Sequence, residues 1–342
     1  MTVAIILIYK FMWTCKIQNL ELGGCWVKEH TLEAPIERQA IKKKQRWNMQ
    51  RNWSLHLMLI PAVLLAIIFQ YIPMGGIVIA FQDFKPYLGF TGSEWVGWDN
   101  FKYLFLYPDV GQVIWNTLVI AFFKIVAGLI APFLFAILLN EVRLTAFKRV
   151  SQTLVYLPHF LSWVILGGIL LDILSPQGGL VNQVIVAMGG DPIFFLGDGT
   201  WFRITLIVSD VWKEFGFGTI VFLASLSGIN PALYEAAEVD GANRFKQTLH
   251  ITIPALMPIT IVLMTLSIGN ILNAGFDQVF NLYNPLVYDK GDIIDTFVYR
   301  LGILNGQMSF ATAVGLFKSV VATILIVISY RLAYKWANYR VF

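Results

Sequence analysis

The sequence predicts an all-α integral membrane protein with six transmembrane helices, and three observations carry that prediction. Of its 342 residues, 57% are hydrophobic and 13% are charged, against roughly 25% charged in an ordinary soluble domain. Six apolar runs reach the length of about 20 residues that a helix needs to cross a hydrocarbon core. None of them alternates with the period of two expected of a barrel strand, and backbone groups that cannot go unpaired in lipid make each run a helix.

In order, the runs fall at about 57–80, 112–140, 151–174, 203–226, 255–280 and 310–336. Four basic segments flank them, and with six spans all four lie on the same side. Arg38, Lys42, Lys43, Lys44, Arg46 and Arg51 precede the first run. Arg143, Lys148 and Arg149 separate the second from the third, Arg244 and Lys246 the fourth from the fifth, and Arg331, Lys335 and Arg340 close the chain. The loop 175–201 carries Asp191 and Asp198 and no Lys or Arg, and the segment 81–111 is aromatic, with Trp95 and Trp98 placed as in a headgroup belt. Positive charge stays in the cytoplasm, so both termini and the segment 229–254 are expected there.

The formal charge of +4 follows from this topology and gives no support to nucleic-acid binding, although the basic run 38–51 suits a lipid surface. Residues 1–46 are expected to be an N-terminal extension ending in a basic cytoplasmic segment. They form either a tail without fixed structure or a frame that begins upstream of the true start. The membrane domain fills 47–342. Cys15 and Cys25 lie on the cytoplasmic side, where a disulfide does not persist.

Catalytic chemistry finds no foothold. His30, His56, His159 and His250 are dispersed, no His/Cys spacing suits a metal, and no phosphate-cradling G-x-x-x-x-G-K-[ST] loop occurs. The "GFG" at 216–218 lacks the strand and third glycine of a dinucleotide fingerprint, and close helix packing explains it better.

Polar residues inside the runs are more informative, because an ionisable group near a span centre costs roughly 2.5–3.5 kcal/mol to insert. "SDVWKEFGFGTIVF" puts Asp210, Lys213 and Glu214 on one face of the fourth span, beside Trp212 and Phe215. "SIGNILNAGFDQVF" spaces Asn270, Asn273 and Asp277 by three and four, which on a continuous helix is one stripe. Trp212, Lys213, Asn270, Asn273 and Asp277 are therefore candidates for a substrate path. The plainer reading is packing, with Asp210 paired to Lys213 and the amides cementing helix contacts.

The stretch "YEAAEVDGANRFKQTLHITIP" at 234–254 interrupts the apolar pattern. Asn230 before Pro231 makes an N-cap with proline at the first helical position. Ile229 and Tyr234 occupy hydrophobic-staple positions, and Leu233, Ala236, Ala237 and Asp240 share one flat face. Gly241 suits a bend, after which a second short helix carries Arg244 and Lys246 until Pro254 opens the fifth span.

"EAA", three residues, Gly241, nine residues and "ITIP" resemble the EAA signature of the membrane subunits of binding-protein-dependent ABC importers, with Ile253 where leucine is usual. "YLPHFLSW", "WKEFGFGTIVFLASLSGINPALYEAAEVDGA" and "NAGFDQVF" are similar to the LplB-like oligosaccharide branch, related to maltose-type systems. The resemblance covers about 47–342 and implies a type I importer permease fold in a bacterial plasma membrane. It implies a second homologous permease, two copies of an ABC ATPase holding ATP and Mg, an extracellular solute-binding lipoprotein and an oligosaccharide. This chain itself would bind no cofactor and catalyse nothing. Glu235, Ala236, Ala237 and Gly241, with Asp240 and Arg244, would form the coupling helix that meets the ATPase. The rival is an ion-coupled secondary transporter or channel working through Asp210, Lys213 and Asp277.

Overall fold

The computed structural model describes residues 53–337, with side chains over 57–331. The expectations for residues 1–46, for the basic run up to Arg51 and for Arg340 lie outside the described residues. The chain divides into two units, Met1–Pro61 and Ala62–Phe342. The first contributes only the start of α1 (Trp53–Ala66) to the described residues; the second holds the bundle.

Beyond α1 the chain passes through a π-turn at Ile67–Tyr71 and a 3₁₀ segment at Gly75–Phe81, which completes the apolar span Leu57–Phe81. A two-stranded antiparallel ribbon follows, β1 (Gln82–Asp83) with β2 (Glu94–Trp95), in which Gln82 faces Trp95. Phe81 stacks on Trp95 at 5.8 Å and meets Trp98 edge-on at 5.4 Å, closing this ribbon onto α2 (Asp99–Leu106).

α3 (Val110–Glu141) has 32 residues, about 48 Å at 1.5 Å per residue, so it overshoots a hydrocarbon core roughly 30 Å thick. α7 (Gly199–Ser227) packs along it. Between them lie α4 (Thr145–Tyr156), α5 (Trp163–Ile173) and α6 (Leu180–Ala187). The third run is not one straight helix: Thr145–Phe160 and Trp163–Ile173 meet at 102°. Pro158 falls in a tightened turn, Leu161 goes extended, and Ser162 caps α5 through the Ile165 amide at 3.4 Å. The glycines of "GFG" serve packing, as read from the sequence: a Cβ on Gly216 would lie 2.2 Å from the carbonyl oxygen of Val155.

α8 (Pro231–Val239) leaves α7 at 68°. α9 (Arg244–Gly269) then runs unbroken for 26 residues. The expected stop at Pro254 does not occur, because a π-turn at Thr248–Thr252 loosens the ladder just where proline lacks its amide hydrogen. The fifth run instead breaks later. α9 ends at Gly269, Asn270 is its C-cap, and α10 (Phe276–Leu282) starts only after Gly275, which sits at φ +93°. Asn270, Asn273 and Asp277 therefore do not share a helical stripe. The periodicity was counted through residues 270–275, where the backbone turns, and the left-handed glycine reorients the chain before Asp277. α11 (Ile294–Tyr299) and α12 (Met308–Ala337) complete the chain.

Among the described residues four helices are long and apolar enough to cross a membrane, or up to six if each bent pair counts as one span. Their outer faces stay apolar and exposed within the chain; Leu57–Phe81 buries none of its most apolar stretch. Most core residues lie at the end opposite α8, where Phe202, Leu206, Val279 and Ile293 pack in one cluster and Leu104, Phe297, Leu301 and Phe310 in another. A smaller cluster of Ala136, Phe222, Leu226 and Leu256 lies nearer α8.

Candidate functional site

The EAA stretch folds as its local chemistry dictates. The Asn230 side chain accepts the Ala232 amide at 3.0 Å, Pro231 occupies the first turn, and Gly241 takes φ +76° with the Ala242 amide returning to the Ala237 carbonyl at 2.8 Å. Asn243 then caps α9 through the Lys246 amide at 2.9 Å. Two side chains tether the unit: the Tyr234 hydroxyl and Thr252 Oγ1 meet at 2.9 Å, and Arg244 pairs with Glu141 of α3 at 2.8 Å.

Glu235, Ala236, Asp240, Gly241 and Arg244 are exposed and Ala237 is half-buried, so the paired alanines do not present one equally open face. Asp240 is the C-cap rather than part of the helix. Apolar side chains also face outward here: Val239 is 89% exposed and Phe245 is 75% exposed.

A second site lies within the bundle. A cavity of about 350 Å³ is lined by α3, α7, α9 and the turn after it, including Lys124, Asp210, Ser267, Asn270, Asn273 and Gly275. Its walls are apolar at Ile125, Leu129, Leu263 and Leu266. Asn270 and Asn273 thus meet at one place even though no helical stripe joins them, and Asn273 Nδ2 lies 3.4 Å from Asn270 Oδ1.

The ion pair at this cavity corrects the expected one. Asp210 does not pair with Lys213; its partner is Lys124 of α3, at 3.3 Å. Lys213 turns to the break of the third span, donating to Glu214 Oε1 at 2.8 Å and to the His159 carbonyl at 3.1 Å, with Trp163 beneath its ammonium at 5.6 Å. Glu214 also reaches His159 Nδ1 at 2.7 Å, and the imidazole stacks on Phe217 at 4.3 Å. Trp212 and Asp277 are exposed and do not line the cavity.

Sequence reasoning missed Lys124. It is a lone lysine in the second apolar run, and the insertion cost applied to the fourth run applies to it equally. It also missed the cap over the end opposite α8. There the buried Asp292 accepts from Arg300 Nη2 at 2.5 Å and from Thr296 Oγ1 at 2.7 Å, and the guanidinium lies 4.3 Å from the Tyr288 ring centre. Burial pushes the Asp292 carboxyl up from its ordinary value, against the pull of Thr296 and Arg300. Arg203 of α7 ties this cap down by donating to the Lys290 carbonyl at 2.7 Å and to Asn116 Oδ1 at 2.5 Å. Among the described residues no group of three His, Cys, Asp or Glu is placed to hold a metal.

Comparison with known proteins decides what this bundle belongs to. Residues 124–342 match the family model of the binding-protein-dependent transport system inner membrane component. The chain belongs to that family. It is 47% identical to protein LplB of Bacillus subtilis (strain 168) over 81% of this chain and 87% of that one. It is 42% identical to the polygalacturonan/rhamnogalacturonan transport system permease protein YteP of the same organism, over 90% and 96% of the two chains. Among solved structures it is similar to a bacterial ABC transporter involved in the import of the acidic polysaccharide alginate, at 38% identity and a TM-score of 0.78, covering 84% of this chain and 97% of that one. A second structure, of the alginate ABC transporter in complex with an alginate pentasaccharide-bound periplasmic protein, gives a TM-score of 0.77 at 38% identity, covering 87% and 98%.

The expected importer-permease fold is therefore the fold adopted. The chain is an inner-membrane component of a transport system that works with a binding protein. It is a transport subunit rather than an enzyme, and the rival reading of an ion-coupled carrier is set aside by family membership.

Proposed function

We propose that this chain forms half of the translocation path for an oligosaccharide handed over by an extracellular binding protein, and that it pairs with a second homologous permease. Two copies of a separate ATP-binding subunit drive it and hold ATP and Mg, while this chain holds no cofactor. It sits in a bacterial plasma membrane with both termini cytoplasmic.

The observation that carries this reading is the presentation of α8. It is an externally capped helix at the end of a 29-residue span, exposed at Glu235, Ala236 and Val239, and set off from that span by 68°. A helix whose apolar side chains face outward at that point suits a cleft in a partner. Glu235, Ala236, Ala237, Asp240, Gly241 and Arg244 would meet the ATPase, and α7 and α9 would carry its closing motion into the bundle.

The cavity supports the carbohydrate side of the reading, since amide and carboxylate groups set among apolar walls suit a sugar. Asn270 and Asn273 would contact it directly. Trp212 and Asp277 would extend the path from their exposed positions, and Lys213 would act through its cluster with Glu214 and His159. The named substrates of the relatives, polygalacturonan/rhamnogalacturonan and alginate, favour an acidic oligosaccharide.

Gly241→Val tests the coupling role. The would-be Cβ meets nothing within 4 Å, so the effect comes from the backbone alone, at about 1–2 kcal/mol for a left-handed side-chain residue. Uptake driven by ATP is expected to fall about tenfold or more, the factor that 1.4 kcal/mol represents, while the binding protein still captures sugar. Unchanged uptake in vesicles containing the full importer would falsify it.

A further inference from the structure

The Lys124 ammonium is the point at which four stretches of chain meet. It belongs to α3, lies 3.3 Å from Asp210 Oδ1 of α7, donates to the Ala274 carbonyl at 2.7 Å, and donates to Gln278 Oε1 of α10. Gln278 passes the connection on, its Nε2 donating to the Leu206 carbonyl and to Ser209 Oγ, both at 2.8 Å and both on α7. The three principal residues are well covered: Lys124 is 8% exposed, and Ala274 and Gln278 are 0% exposed.

An ammonium has three protons; here the Ala274 carbonyl and Gln278 Oε1 accept from it, and the Asp210 carboxylate faces it at 3.3 Å. Although Lys124 lines the cavity, its ammonium is engaged by these three groups of the chain itself. Its acceptors show what it does instead. Ala274 lies in the break between α9 and α10, where no helical amide returns to its carbonyl. Gly275 follows at φ +93°, and a Cβ on it would stand 3.0 Å from Lys124 Nζ. The break is therefore shaped around this ammonium on both its carbonyl and its glycine side.

We infer that Lys124 is a positioning residue: its ammonium fixes the break in the fifth span against α3 and α7 and so sets Asn270 and Asn273 in the wall of the cavity. The role goes beyond the sugar path proposed above and rests on that path only for its use in transport. Asp210 balances the charge and Gln278 bridges to the α7 backbone. A neutral side chain of the same length would leave the Ala274 carbonyl and Gln278 Oε1 without their donor and the Asp210 carboxylate without its counter-charge.

The test uses the full importer in membrane vesicles, with Cys15→Ser and Cys25→Ser, since these are the only native cysteines. Asn273→Cys then reports the break and Gln307→Cys serves as an exposed control, each read by its rate of reaction with a water-soluble methanethiosulfonate. Lys124→Met is expected to change the rate at 273 by about tenfold, the scale of one unmade buried hydrogen bond, and to leave 307 unchanged. Lys124→Arg, which restores the charge and has the cavity beside it, should bring the rate at 273 back towards that of the native lysine, an outcome that bulk alone would not give.

Lys124→Met/Asp210→Asn removes both charges and decides the matter if the single variant does not assemble. Equal rates at 273 with and without the ammonium, or no recovery with arginine, would overturn the inference. Protection of Asn273→Cys by an alginate oligosaccharide with its binding protein reads the path separately. Its failure alongside an intact Lys124 effect would remove the path and leave the positioning role standing.

Discussion

Two glycines in this chain take the same left-handed backbone and do opposite things. Gly241, at φ +76°, ends α8 in open space, whereas Gly275, at φ +93°, ends the break in the fifth span against a buried ammonium. Around the first, the neighbouring side chains are mostly exposed, and among the described residues Tyr234 and Arg244 tie it to Thr252 and Glu141. Around the second, Ala274 and Gln278 are fully covered, the Ala274 carbonyl accepts from Lys124 of α3, and Gln278 donates to Leu206 and Ser209 of α7. The backbone device makes a turn possible; the surroundings decide whether that turn presents a surface to a partner or joins helices into one body.

The sharpest way to break this contrast is to give both glycines the same side chain. Gly275→Ala is expected to lower the stability of the detergent-solubilised chain by about 1–2 kcal/mol of backbone strain, plus about 1–3 kcal/mol for crowding the ammonium. Gly241→Ala should cost only the strain. Thermal unfolding of the two variants in parallel measures the difference, and equal losses would mean that the ammonium adds nothing to the joint.

A smaller effect is expected at the α8 end. Asn230→Ala removes the cap on α8 and should cost about 1 kcal/mol, seen as faster amide exchange confined to Pro231–Val239 with little change elsewhere in the bundle. Loss of protection across α7 would show instead that α8 is as firmly integrated as the break in the fifth span.

The smallest effect concerns pH at the opposite end of α7. Asp198 caps that helix by accepting the Trp201 and Thr200 amides, both at 2.9 Å, and the Trp201 bond leads in holding its carboxyl below the ordinary value. A carboxyl depressed in the folded state contributes stability above its unfolded pKa and loses it as pH falls through the folded one. Melting of the native chain should therefore decline below about pH 4, the ordinary aspartate range, and Asp198→Asn should flatten that part of the curve.

Much of this was legible in the chain. Apolar run length gave the spans because lipid forces backbone satisfaction within the helix. The α8 unit was readable because Asn230, Pro231 and Gly241 act through bonds and torsions within a few residues. What failed were readings that assumed a helix continues wherever apolar residues do. The third run breaks after Pro158, and the fifth run breaks between Gly269 and Phe276. Lys124 was hidden for a different reason: one lysine in an apolar run signals that a partner must exist, but not which residue 86 positions away supplies it.

The sequence by itself determined a membrane bundle of this family, its capped helix and the presence of polar residues within its spans. Each follows from hydropathy, torsion preference or a motif contained in one stretch of chain. Only the tertiary structure decided that Asp210 answers Lys124 rather than Lys213, that Asn270 and Asn273 face one cavity without sharing a stripe, and that Asp292 and Arg300 close the cap. The physical reason is that burying a charge demands a counter-charge in space, and the spacing of residues along a helix does not specify which neighbouring helix brings it.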